Sequence, residues 1–214
     1  MIRPCPLWSG KKPAIKKPLS EQAKAFLGWL TVALAPTILG SKPATILSLA
    51  NSKNSNLLTL WREYGSEIFA DTLVKVLIMR QSSCCEILLF YRADTLKQCL
   101  CDKDINYFMK NLGYPVEEGV ESCLSTLCGR YCSYCPHEIG IILGIPLKDV
   151  LGFMALTDLP STYKGAWIVY GNRKESQALM QKFAAERSWI SSLIAKGLSP
   201  YEIMCGNIVE SYCV

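Results

Sequence analysis

One histidine occurs in the 214 residues, His137, in the run Pro136-His137-Glu138-Ile139-Gly140. Imidazole is the side chain whose unperturbed pKa lies close to physiological pH, so it is the natural seat for proton transfer or metal ligation. Pro136 reads as the start of a two-turn helix ending at Gly144, which puts His137 and Glu138 in its first turn. On the helical wheel Ile139, Ile142 and Leu143 share one face, and His137 points almost opposite. A helix N-terminus disfavours imidazolium and would keep His137 neutral, able to act as base or ligand, with Glu138 orienting it. The bland alternative is a histidine that hydrogen-bonds a neighbouring loop and fixes the Pro136 turn.

Cysteines crowd the segment just upstream: Cys123, Cys128, Cys132 and Cys135. Cys128-x3-Cys132-x2-Cys135 has the spacing with which radical S-adenosylmethionine enzymes hold an iron–sulfur cluster through thiolates. Only 79 residues follow Cys135, too few for the barrel that normally follows that motif, and Cys128 belongs to an apolar helical stripe. Cys132, Cys135 and His137 could instead supply three zinc ligands, with Cys128 or Glu138 as the fourth. Structural zinc sites usually show two paired knuckles, and here there is one pair. Cys135 near a helix start would also favour a thiolate, which keeps a thiol-redox role open.

Two cations complete the set. Lys42 precedes Pro43, and Arg92 follows Tyr91 at the end of an apolar run, where α/β architectures often place ligands. Both could grip a carboxylate or phosphate; ordinary surface charge is the competing explanation. The chain has no Gly-rich phosphate loop, no serine elbow and no zinc-protease helix.

These residues need elements to position them. The patterning predicts a first helix over Glu21–Leu34, capped by Ser20 and ended by Pro36, then a loop with Gly40 and Pro43. A short strand is expected at Ala44–Leu49 and a helix at Asn54–Tyr64. Leu73–Met79 and Cys85–Tyr91 read as a hairpin around a Gln81–Cys84 turn, the second strand so apolar that it should be central. Helices follow, one capped by Asp94 and one by Asp104, then Gly119–Tyr131, the Pro136 helix and a Pro146 helix with Leu147, Val150, Leu151 and Met154 inward. A strand at about Lys164–Tyr170 and a long helix, Arg173–Ala195, capped by Asn172, close the series. The expected fold is a single α+β domain over residues 20–198: a small mixed sheet of three to five strands flanked by six to eight helices. Residues 1–19 form a flexible basic tail and 199–214 a C-terminal tail or short helix.

Composition bounds the function class. Half of the residues are apolar and 19 % are charged, which excludes a disordered chain. The net charge of +5 equals the five cations of residues 1–19, where no acid occurs, so the body is neutral and nucleic-acid binding is not expected. Ala25–Ala35 is too short an apolar run to span a membrane, and Pro36 after Ala33-Leu34-Ala35 argues against signal cleavage there. Eleven cysteines, an odd number and several on helical stripes, fit free thiols in a reducing cytoplasm.

Several stretches together resemble one bacterial family, the domain-of-unknown-function family numbered 3793, found mainly in anaerobic Firmicutes. They are Ala35-Pro36-Thr37 with Gly40 and Lys42-Pro43-Ala44; Tyr91-Arg92; Pro136-His137-Glu138-Ile139-Gly140 through Leu143-Gly144, Pro146-Leu147, Asp149-Val150 and Gly152-Phe153; and Trp167 with Val169-Tyr170-Gly171. The resemblance covers about residues 22–195 and carries no established activity. It implies a shared pocket for Lys42, Arg92, His137 and Glu138 and leaves the cysteines outside the motif. Ile168 stands where it implies a lysine. The expectation is thus a cytoplasmic protein that binds or transforms a small anionic molecule, with His137 and Glu138 as catalytic groups and Lys42, Arg92 and Tyr170 as ligand-binding ones. The alternative is a metal-handling or thiol-redox protein using Cys132, Cys135 and His137. No cofactor is specified by the sequence.

Overall fold

The computed structural model describes residues 19–206 except Ser133. The expected basic tail, beyond Leu19, and residues 207–214 lie outside the described residues. The chain runs α1 (Glu21–Ala33), α2 (Ala35–Ile38), β1 (Ala44–Ser52), β2 (Ser55–Asn56), α3 (Leu57–Phe69), β3 (Lys75–Gln81), β4 (Cys85–Tyr91), α4 (Ala93–Leu100) and α5 (Lys103–Asn111). After a 3-10 turn at Val116–Glu118 come α6 (Val120–Tyr131), α7 (Ile139–Ile142), α8 (Leu147–Phe153), β5 (Ser161–Lys164), β6 (Ile168–Tyr170), α9 (Lys174–Ala195) and α10 (Pro200–Met204). This is an α+β fold. Among the described residues no helix is long and apolar enough to cross a membrane.

The main sheet has the order β2-β1-β4-β3, and each of its ladders is antiparallel. β4 is central because both of its faces are apolar. Leu88 and Phe90 face one core, with Leu30, Trp61 and Ile190; Leu89 and Tyr91 face the other, with Leu96, Leu127 and Ile141. Period-two alternation sends successive side chains to opposite faces. A strand covered on both faces therefore reads as a continuous apolar run. Helices α1, α2, α3, α9 and α10 cover one face, and α4 to α8 the other. Each fully buried Leu or Phe of β4 contributes about 1.5–3 kcal/mol.

Local signals differ from expectation at identifiable places. Ser20 caps α1, its hydroxyl accepting from Ala23 N at 3.2 Å. Asp94 does not cap α4: Arg92 is the boundary residue, and the Asp94 carboxylate binds the Arg92 guanidinium. α5 is capped two residues earlier than Asp104, by Asp102, whose carboxylate accepts from Asp104 N and Ile105 N. Asn172 is not the boundary residue of α9, which is Arg173, although its side chain does accept from Lys174 N. α3 continues past Tyr64 to Phe69, and Trp61 lies over Gly65 so closely that a Cβ there would sit 2.6 Å from the ring.

Two corrections bear on the site. The two-turn helix expected from Pro136 is a single turn, Ile139–Ile142, preceded by tight turns in which Ile139 N bonds Pro136 O and Gly140 N bonds His137 O. The single strand expected over Lys164–Tyr170 is a hairpin, β5 pairing with β6 around the loop Gly165-Ala166-Trp167.

Candidate functional site

The hairpin is fastened to α8 by one buried carboxylate. Asp149 accepts from Lys148 Nζ (2.7 Å), Tyr170 N (2.9 Å), Trp167 Nε1 (2.8 Å) and Ser176 Oγ (2.6 Å). Lys148 also reaches Tyr170 O and Ser176 Oγ. Burial alone would raise the carboxyl pKa of Asp149; Lys148, Ser176, the Tyr170 amide and the Trp167 indole overcome that and hold it below the usual value. Ser176 and Lys148 form a serine–lysine pair at 2.9 Å, with Ser176 fully buried, and the pair ties α8 to α9. α8 can approach β6 this closely because residue 152 is glycine: a Cβ there would lie 2.2 Å from Tyr170 Cγ.

Fixing Trp167 and the hairpin loop against α7 and α8 encloses a cavity of about 570 Å³. Ile139, Leu143, Val150, Phe153, Trp167 and Ile168 supply its apolar wall, with His137, Lys164, Cys135 and the already hydrogen-bonded Asp149 as its polar members. That is the size and character of a small-molecule site. Ile168 keeps the hairpin wall apolar where the resemblance implied a lysine.

His137 is exposed, its ring edge-on to Phe153 at 5.0 Å between centroids. Neither ring nitrogen has a hydrogen-bond partner among the described residues. The histidine is available to a ligand, and it precedes a one-turn helix instead of standing in the first turn of a two-turn one. Glu138 turns the other way. It is buried, its Oε1 accepting from Tyr114 Oη (3.0 Å) and Arg130 Nη1 (2.8 Å). Arg130 lies over the Tyr114 ring and also donates to Leu112 O, at the end of α5. Burial, followed by the Glu138 charge and hydrogen bond, pushes the Tyr114 hydroxyl pKa well up, which keeps it a donor. Glu138 therefore locks the turn beneath His137 through α6.

The remaining candidates separate. Lys42 lines a second, smaller cavity of about 170 Å³ with Arg187, Met180 and Phe183. Leu143, Ile145, Ala166 and Trp167 line both cavities, so the two adjoin. Arg92 lines neither. Its guanidinium donates to Asp94 and to Ile38 O, tying α2 to α4. Tyr170 lines neither cavity; its ring covers Gly152 and its backbone serves Asp149 and Lys148. Residue types alone had no means of singling out Arg187 on the long α9, whereas Trp167 and Asp149 were visible as motif residues without a role.

The cysteines do not converge on His137. Among the described residues no group of three or more His, Cys, Asp or Glu is placed to hold a metal ion. Cys128 is half-buried against Ile78 O, and burial, then Cys132, raises its thiol pKa, the opposite of what a cluster ligand needs. The nine cysteines of the described residues are free thiols.

No curated protein and no solved structure matches the chain significantly. A family model does: the one described as "Protein of unknown function (DUF3793)" matches residues 30–204, and the chain belongs to that family.

Proposed function

We propose that this protein binds a small anionic molecule in the cavity around His137. The observation that carries the reading is an apolar cavity of about 570 Å³ with an exposed histidine, unpaired among the described residues, on its lining. Apolar walls supply affinity and a few polar groups fix orientation. His137 is the group able to donate to the ligand or to take a proton from it, and Glu138 holds the turn that presents it. Lys42, in the adjoining cavity, supplies positive charge. The free thiols fit a reducing bacterial cytoplasm as the place of action.

The test is ligand-observed NMR with a panel of small aromatic and aliphatic carboxylates and phosphates. His137→Ala should weaken, by up to about tenfold, the bound members that carry a hydrogen-bonding group at the histidine, as expected for loss of one hydrogen bond. Its stability should not change, since the side chain is exposed. Ile168→Trp, which fills the cavity, should abolish binding. Binding untouched by both changes would remove the site.

A further inference from the structure

Lys42 and Arg187 sit together in the smaller cavity without a counter-charge. Neither has a carboxylate within ion-pair distance among the described residues. The acid next to Arg187 in sequence, Glu186, accepts instead from the Ser41 hydroxyl. The Lys42 ammonium lies 5.6 Å from the centre of the Phe183 ring, which gives it modest compensation. Its position is imposed by the backbone. Gly144 has φ +73, and a Cβ there would come 2.7 Å from Pro43 Cδ and 3.7 Å from Lys42 Cγ, so the Lys42-Pro43 segment is pressed against the end of α7. Burial, then the neighbouring Arg187, lowers the Lys42 pKa to about 8. Two like charges held in one small cavity are unfavourable until an anion joins them.

The cavity that holds these cations shares Leu143, Ile145, Ala166 and Trp167 with the large apolar one. Charge and apolar surface thus lie side by side across a common edge. We infer that the ligand is an amphipathic anion, its carboxylate or phosphate group bound by Lys42 and Arg187 and its apolar body lying in the His137 cavity. This rests on the reading of that cavity as a binding site and adds the ligand class, its orientation and Arg187 as a binding residue. Arg187 offers a planar fork that suits two oxygens of the head group, and Lys42 a single strong donor. His137 then meets the body of the ligand rather than its head.

The experiment is calorimetric titration of the full chain with octanoate, octyl phosphate, octanamide and inorganic phosphate. It uses the parent protein and the variants Lys42→Met, Lys42→Arg, Arg187→Met and Ile168→Trp, each checked for cooperative unfolding. At least one of the two amphiphilic anions should bind, and octanamide about tenfold or more weaker, since it lacks the charge. Lys42→Met and Arg187→Met should each weaken the anion by a similar factor and leave octanamide unchanged; Lys42→Arg should retain most of the affinity. Anion binding abolished by Ile168→Trp but indifferent to both methionine variants would overturn this inference while the His137 cavity stands. Inorganic phosphate binding at Lys42 and Arg187 with neither amphiphile bound would also overturn it. Binding of no probe would overturn both readings.

Discussion

Lys42 and Asp149 show opposite responses of a charge to its surroundings. Lys42 is half-buried beside another cation, so the folded state holds its proton less tightly than the unfolded chain does. The unfolded chain then binds more protons between about 8 and the ordinary lysine value of 10.5, and the lysine's contribution to stability rises with pH across that window. Lys42→Met should therefore raise the melting temperature of the ligand-free protein at neutral pH, although it weakens anion binding; scanning calorimetry checks this. Anion affinity should fall as pH rises through about 8 and beyond, and Lys42→Arg should flatten that profile. Arg187 is the other charged group lining that cavity, Glu186 is held by Ser41, and His137 lines only the larger cavity. Asp149 is the reverse case, a carboxyl held below its usual pKa. Its contribution is present above the unfolded value and is lost as pH falls through the depressed folded one. Asp149→Ala leaves the Lys148 charge and the Trp167 and Tyr170 donors without their acceptor, and should cost about 3–5 kcal/mol in urea unfolding.

At the scale of elements, α8 and the β5–β6 hairpin act as one unit. The four β5 residues are exposed and the hairpin has two strands, so its anchorage comes from the β6 side: the Asp149 and Lys148 hydrogen bonds, the buried Val169 and the Tyr170–Gly152 contact. An isolated two-stranded hairpin is marginal in water. Gly152→Ala forces a methyl group into the Tyr170 ring and should destabilise the protein by about 1–3 kcal/mol. It should also speed proteolytic cleavage near Gly165, because the loop that forms the shared edge of the two cavities comes free. Unchanged cleavage and stability would show that the hairpin is held by other contacts. Met180 closes the other side of this loop: a Cβ at Gly165 would fall 2.7 Å from its sulfur. The hairpin thus bridges α8 and α9, and Trp167 reaches both cavities.

For the whole molecule, the sheet divides the protein into two cores, and the site is built from α7, α8 and the β5–β6 hairpin, with Met180, Phe183 and Arg187 from α9 and Lys42 from the loop before β1. A ligand that ties α9 to α7 and the hairpin should stabilise the native state as a unit. At a hundredfold excess over its dissociation constant the gain is about 2.7 kcal/mol, which for a chain of this size corresponds to a rise in melting temperature of about 5–10 °C. Thermal unfolding against octanoate or octyl phosphate concentration measures this. A concentration-independent melting temperature with the bound anion would show equal affinity for the unfolded chain.

Patterns that repeat within one element were legible in the chain itself. The β3–β4 hairpin, the centrality of β4, the α6 and α8 stripes and the length of α9 follow from local periods of two and 3.6 residues. The family also showed in motif residues spread along most of the chain. What no local period encodes is which donors are already taken and which distant residues meet. Arg92 looked free but spends its guanidinium on Asp94, two residues away, and on Ile38 O. Glu138 adjoins His137 in sequence, yet its carboxylate belongs to Tyr114 and Arg130. Arg187 carries no signal on α9 until packing sets it beside Lys42. Side-chain pairing depends on distances across the fold, and those exist only once α7, α9 and the hairpin have closed on one another.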